Sequence, residues 1–116
     1  MVAAHIALGA AGEDLVAAWY VDHGYHVVAR NWRTSFGEID LVAARRDVVV
    51  ICEVKTRRTD AFGSPAHAVT LAKRQRLRRL AGAWLAEHRS LRPTPAIRFD
   101  VAAVAAGQVQ VFTHAF

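Results

Sequence analysis

The most constraining stretch of this chain is Val48-Val49-Val50-Ile51-Cys52-Glu53-Val54-Lys55. Its unbroken β-branched run suits a strand buried on both faces, and it is too short for a membrane span. The run then gives way to charges at every second position. Residues 45–47 before it read as a turn, and residues 38–44 before that as a further β-rich run. The two runs predict a hairpin, which ties two strands of a sheet together at the centre of the chain.

The other elements arrange themselves around this hairpin. Residues 7–23 show helical periodicity, with Leu8, Gly12, Leu15 and Trp19 on one face and Val16 beside it. Gly24 is a natural stop for that helix, because it accepts a left-handed backbone. Residues 25–33 form a first strand, 38–44 a second and 48–56 a third. After a polar loop, Ser64-Pro65 resembles a helix start, and a helix is expected over most of 65–88, with a break near Thr70. Its inner stripe is Leu77, Leu80, Ala81, Trp84, Leu85 and His88. Pro93 and Pro95 close this region, and strands at 96–104 and 108–113 follow. The order α-β-β-β-α-β-β predicts an α/β domain spanning residues 1–116, one mixed sheet flanked by helices. A chain of 116 residues fits one domain with one core.

Strand geometry brings charges together. Side chains alternate between the faces of a strand, so Glu38 and Asp40 share one face, with Ile39 and Leu41 on the other. Glu53 and Lys55 likewise share a face, away from Cys52 and Val54. A hairpin turning about Arg46 and Asp47 places Asp40 opposite Glu53 and Glu38 opposite Lys55. Like charges directly across a strand pair are destabilising, and burial raises the cost unless a cation intervenes. A divalent metal held by Asp40, Glu53 and the Val54 carbonyl relieves it, and Mg²⁺ adds waters and phosphate oxygens to such a set. Lys55 then lies where it can orient a water or meet developing negative charge. The same residues also fit a solvated sheet face with an ordinary Glu38–Lys55 ion pair.

Charge points to the class of partner. The chain carries a formal charge of +5, which favours an acidic partner such as nucleic acid. Lys73-Arg74-Gln75-Arg76-Leu77-Arg78-Arg79 concentrates basic residues on the second helix. Lys73 and Arg76, with Arg33 and Arg57 from the strands, are candidate phosphate contacts. For each arginine, a merely solvated surface position is the competing reading. Trp32, Phe36 and Phe62 are candidates for stacking on bases or for partly buried anchors. A single cysteine, Cys52, excludes an internal disulfide. The six histidines show no zinc spacing. The first residues lack the basic region and long apolar core of a signal peptide, so cytoplasmic residence is expected.

Gly37-Glu38-Ile39-Asp40-Leu41-Val42 and Val50-Ile51-Cys52-Glu53-Val54-Lys55-Thr56-Arg57 closely resemble the YraN family of small bacterial proteins. Gly12-Glu13, Arg30-Asn31-Trp32-Arg33, Phe62-Gly63-Ser64-Pro65, Lys73 and Arg98-Phe99-Asp100-Val101 fit the same pattern. That family is similar to the Holliday-junction resolvase branch of the restriction-endonuclease-like, or PD-(D/E)xK, superfamily. The resemblance implies a restriction-endonuclease-like sheet, Asp40 and Glu53 as ligands of Mg²⁺ or Mn²⁺, and Lys55 as the catalytic lysine. It also implies a role for Glu13 on the first helix, against which stands an exposed first-turn Glu that favours the helix dipole. Ile39 stands where the superfamily name has Pro. The expected activity is hydrolysis of DNA phosphodiester bonds, in branched or otherwise structured DNA, with a homodimer suited to symmetric cutting. The alternatives are a nucleic-acid-binding module on the same fold that does not cut, and a repair-associated interaction protein.

Overall fold

Three consecutive strands form an antiparallel meander, because short turns connect them and their apolar residues alternate or run together. The computed structural model describes residues 2–57, 69–88 and 95–116. Strand β1 covers His26–Thr34, β2 Gly37–Arg45 and β3 Val48–Arg57. Helix α1, Val2–Asp22, precedes them. Helix α2, Leu71–Glu87, leads into β4, Ala96–Ala105, and β5, Gln108–Phe112. The sheet order is β1-β2-β3-β4-β5. β3 and β4 are parallel and the other neighbours antiparallel. A parallel pair needs a crossover connection, and α2 lies within it. The α/β order is the expected one.

The two helices cover opposite faces of the sheet. Under α1, Val16 and Tyr20 pack with Leu41, Ala43, Val50, Cys52, Ala102 and Val104. Under α2, Leu77, Leu80, Ala81 and Trp84 pack with Ile39, Val42, Val49, Ile51 and Val101. Gly24 ends the turn after α1 at φ +85°, a conformation that costs glycine little. None of the described helices is long and apolar enough to cross a membrane.

Two expectations change and one holds. First, among the described side chains of α1 those that bury are Gly12, Val16 and Tyr20, while Leu15 remains 39% exposed. A close approach at Gly12 sets this rotation: a Cβ there would collide with the Thr56 hydroxyl on β3. Second, the break expected near Thr70 is found: α2 begins after Thr70, whose side chain accepts from the Lys73 backbone N–H. The expected start at Ser64-Pro65 lies outside the described residues, as do Phe62 and Pro93. Third, Ile39 packs under α2 while Leu41 packs under α1. Regular alternation therefore lapses at Asp40.

Candidate metal centre

Asp40 lies where the ladder between β2 and β3 stops. Paired residues run from Arg45↔Val48 to Leu41↔Cys52, the register that a turn at Arg46-Asp47 predicts. One step further along lie Asp40 and Glu53. Here the Asp40 carboxylate replaces a backbone carbonyl and accepts the Val54 N–H at 2.8 Å. A residue's N–H and C=O leave an extended strand on the same side, so the Val54 carbonyl faces the same edge.

β1 is also irregular beside this point. Arg30 pairs with Leu41 and Trp32 with Ile39, which leaves Asn31 alongside Asp40 at φ 51°. Asn tolerates the left-handed region better than most residues. The Asn31 amide donates to Glu13 Oε1 at 3.1 Å. Glu13 thus approaches the site from α1, next to the Gly12 contact. It lies in the middle of α1, not in its first turn, so the helix-dipole reading of this residue fails.

The charges are unevenly compensated. Glu53 is 5% exposed and meets two ammonium groups. Lys73 Nζ lies 2.7 Å from Glu53 Oε1, and Lys55 Nζ lies 3.7 Å from the same oxygen. The alternative of an ordinary Glu38–Lys55 ion pair is not met: Glu38 pairs with Arg33, its neighbour on β1, at 2.8 Å, while Lys55 lies toward Glu53. Asp40 has the Val54 N–H and, among the described residues, no ion pair. Burial first, and the nearby Glu53 charge second, push its carboxyl up to about 7. The Val54 N–H and Lys73 oppose that rise, while the Glu13 charge adds to it.

A cleft of about 220 Å³ opens beside these groups, lined by Glu38, Asp40, Glu53, Lys73, Arg76, Leu77 and Leu80. Among the described residues, no three His, Cys, Asp or Glu side chains form a metal-holding group. Two carboxylates and a carbonyl do not suit a closed zinc site. They do suit Mg²⁺ or Mn²⁺, for which waters and phosphate oxygens complete the shell.

The sequence model of the uncharacterised protein family UPF0102 matches residues 12–104. The chain belongs to this family. It is the YraN family that the motifs resemble. A UPF0102 protein of Rhodococcus opacus (strain B4) is 48% identical over 106 residues, covering 91% of this chain and 88% of that protein. One from Nocardia farcinica (strain IFM 10152) is 54% identical over 98 residues, covering 84% and 76%. The counterpart in Bifidobacterium longum (strain NCC 2705) is 43% identical over 97 residues, covering 83% and 78%. The UPF0102 match begins at Gly12, where α1 meets β3, and takes in every residue of the cleft.

Among the candidate phosphate contacts, Arg76 lines the cleft, and Arg57 is exposed at the end of β3. Arg33 is exposed but paired with Glu38. Lys73 is bonded to Glu53, a partner that sequence spacing did not reveal. Asn31 was visible only as part of a matching motif; its tie to Glu13 depends on how α1 docks. Trp32 and Phe36 are partly buried against the α2 core, as anchors would be.

Proposed function

We propose that this UPF0102 protein is a divalent-metal-dependent endonuclease that hydrolyses DNA phosphodiester bonds in the cytoplasm. The observation that carries this reading is the Asp40–Glu53 acid pair at the open end of the β2–β3 ladder, with Lys55 beside Glu53. A carboxylate perturbed by burial and a neighbouring charge, set in a cleft as Asp40 is, is a functional-site candidate. Asp40, Glu53 and the Val54 carbonyl would hold Mg²⁺ or Mn²⁺. When bound, the ion supplies Lewis-acid polarisation of the phosphate and lowers the pKa of a coordinated water.

The chain's own groups supply the rest. The Val54 N–H fixes one Asp40 oxygen, leaving the other free to ligate. Lys55, anchored near Glu53, orients the attacking water and meets charge developing on the phosphate. Arg76 grips a neighbouring phosphate at the cleft edge. Leu77 and Leu80 form an apolar wall that limits competing water. Glu13, steadied by Asn31, adds negative charge on the far side of Asp40. Resemblance to junction resolvases makes branched DNA the first substrate to try and a two-fold dimer the fitting assembly.

A second reading has its own observation. Lys73 already neutralises Glu53 at 2.7 Å, as in a module that binds DNA without cutting. A cleavage assay decides between them. Labelled junction, flap, single-stranded and duplex DNA are incubated with Mg²⁺, Mn²⁺ or EDTA, using wild type, Asp40→Ala and Lys55→Ala. The expected outcome is metal-dependent cutting that falls on the order of 10²-fold or more in both variants. Folded wild type that binds DNA but cuts none of these substrates supports the binding module instead.

A further inference from the structure

Lys73 is held at Glu53 by both ends. Its backbone N–H is capped by Thr70 Oγ1 at 3.2 Å, and its Nζ donates to Glu53 Oε1 at 2.7 Å. It is the nearer of the two ammonium groups on that oxygen, since Lys55 lies at 3.7 Å. The Glu53 side chain is 6% exposed and that of Lys73 35%, so the ammonium covers the outer side of a buried carboxylate. Such a carboxylate needs a counter-charge. Lys73 thus places its ammonium on an oxygen that would ligate the metal.

We propose that Lys73 is the resident cation of this site and competes with the divalent metal for Glu53. The inference rests on Asp40 and Glu53 forming a metal centre. Lys73 and the metal cannot both hold Glu53 Oε1 closely, because their positive charges would then lie within a few ångströms of each other. Metal loading therefore frees the ammonium, whose stem leaves α2 beside Arg76 at the cleft. Released there, it joins Arg76 in meeting a phosphate. Lys73 thereby couples metal loading to DNA engagement, and it keeps the acid pair compensated when metal is scarce.

The competition has a signature opposite to that of a ligand or a structural prop: removing Lys73 tightens metal binding. Mn²⁺ alone is titrated into wild type, Lys73→Met, Lys73→Gln and Arg76→Met without DNA, and free Mn²⁺ is read by its paramagnetic resonance signal. Circular dichroism confirms folding, and two Lys73 variants guard against one that fails to fold. Lys73→Met and Lys73→Gln are expected to bind Mn²⁺ about tenfold more tightly than wild type, the effect of deleting one positive charge a few ångströms from a divalent ion. Arg76 lines the same cleft and forms no ion pair among the described residues, and the gain for Arg76→Met is expected to stay within about twofold. Unchanged or weaker binding in both folded Lys73 variants overturns the competition but leaves the metal centre standing. An equal gain in Arg76→Met also overturns it, since the patch field would then explain the effect. Absence of Mn²⁺ binding in wild type and variants alike overturns the metal centre itself, and the competition with it.

Discussion

Two aspartates in this sheet, Asp100 buried and Asp40 partly buried, show how partners decide a residue's role. Asp100 is fully buried and amply partnered. Arg98 Nε and Nη2 meet its two oxygens at 2.8 Å each. The Tyr20 hydroxyl donates at 2.6 Å and the His114 backbone N–H at 3.3 Å. Asp40 has the Val54 N–H and, among the described residues, no guanidinium, and its carboxyl is pushed up to about 7. The satisfied aspartate is structural; the poorly compensated one is where a cation gains most. The satisfied network predicts an alkaline signature. Burial, reinforced by the negative charges nearby, holds the Tyr20 phenol far above its ordinary 10.0. The folded chain keeps this proton, while an unfolded tyrosine loses it above about pH 10. The stability that depends on the protonated phenol is thus intact below pH 10 and is lost as pH rises beyond it, by up to about 1.4 kcal/mol per pH unit. Tyr20→Phe loses the bond to Asp100, costing about 1.5–3 kcal/mol at pH 7, but has no phenol to titrate. Urea unfolding from pH 7 to 11.5 should show the gap between wild type and Tyr20→Phe narrowing only above pH 10. A constant gap would mean that the phenol ionises as readily in the folded chain.

Elements reach the site only as closely as their contact residues permit, and for α1 the limiting contact is Gly12 on Thr56. Alanine at position 12 gains about 1 kcal/mol of helix propensity. It also drives a Cβ into a β-branched side chain fixed on β3, and overpacking of this kind costs about 1–3 kcal/mol. Set against the propensity gain, the clash leaves a net loss of up to about 2 kcal/mol for Gly12→Ala. Adding Thr56→Ala should restore most of it, as thermal melts of the single and double variants would read; no rescue would place the strain elsewhere. Much of the element pattern was legible in the chain. The Val48–Ile51 run and the turn at Arg46-Asp47 identified the hairpin and its register, and Gly24 identified the end of α1. Asp40, Glu53 and Lys55 followed from that register. The Glu38 partner, Arg33, comes from β1, which a hairpin argument omits. The rotation of α1 was missed because a glycine contact, not the apolar stripe, sets it. Lys73 lies 20 residues from Glu53 in sequence, and only the docking of α2 on the sheet brings them together.

At the scale of the whole molecule, the two faces of the sheet carry different charge patterns. α2 has basic residues from Lys73 to Arg79 and no acidic residue in its first turn, although its N-terminal end already carries positive dipole charge. Several of these cations are fixed on aromatic rings. Arg78 lies 5.2 Å from the Phe99 ring and 5.3 Å from that of Phe116, and Arg79 lies 4.0 Å from that of Phe36. Cation–π contact limits side-chain freedom while leaving guanidinium N–H groups for an anion. This basic helix borders the cleft, so a duplex entering toward Asp40 and Glu53 would run along it. On the α1 side, Arg45 lies 4.4 Å from the Tyr25 ring and donates to the His23 carbonyl, away from the cleft. If DNA binds at the α2 face, the two arginines differ in salt dependence. Each phosphate neutralised contributes about 0.9 to the slope of log affinity against log salt. Arg76→Ala should weaken binding and reduce that slope by about 0.9, whereas Arg45→Ala should leave both unchanged. Fluorescence anisotropy with EDTA, between 50 and 200 mM salt, reads this on duplex and junction DNA at the salt range where such slopes are steep, about 10³-fold for six contacts. Equal losses from the two substitutions would mean that the net charge of +5 attracts DNA without a preferred face, and the cleft would lose its claim to the substrate even if metal binds there.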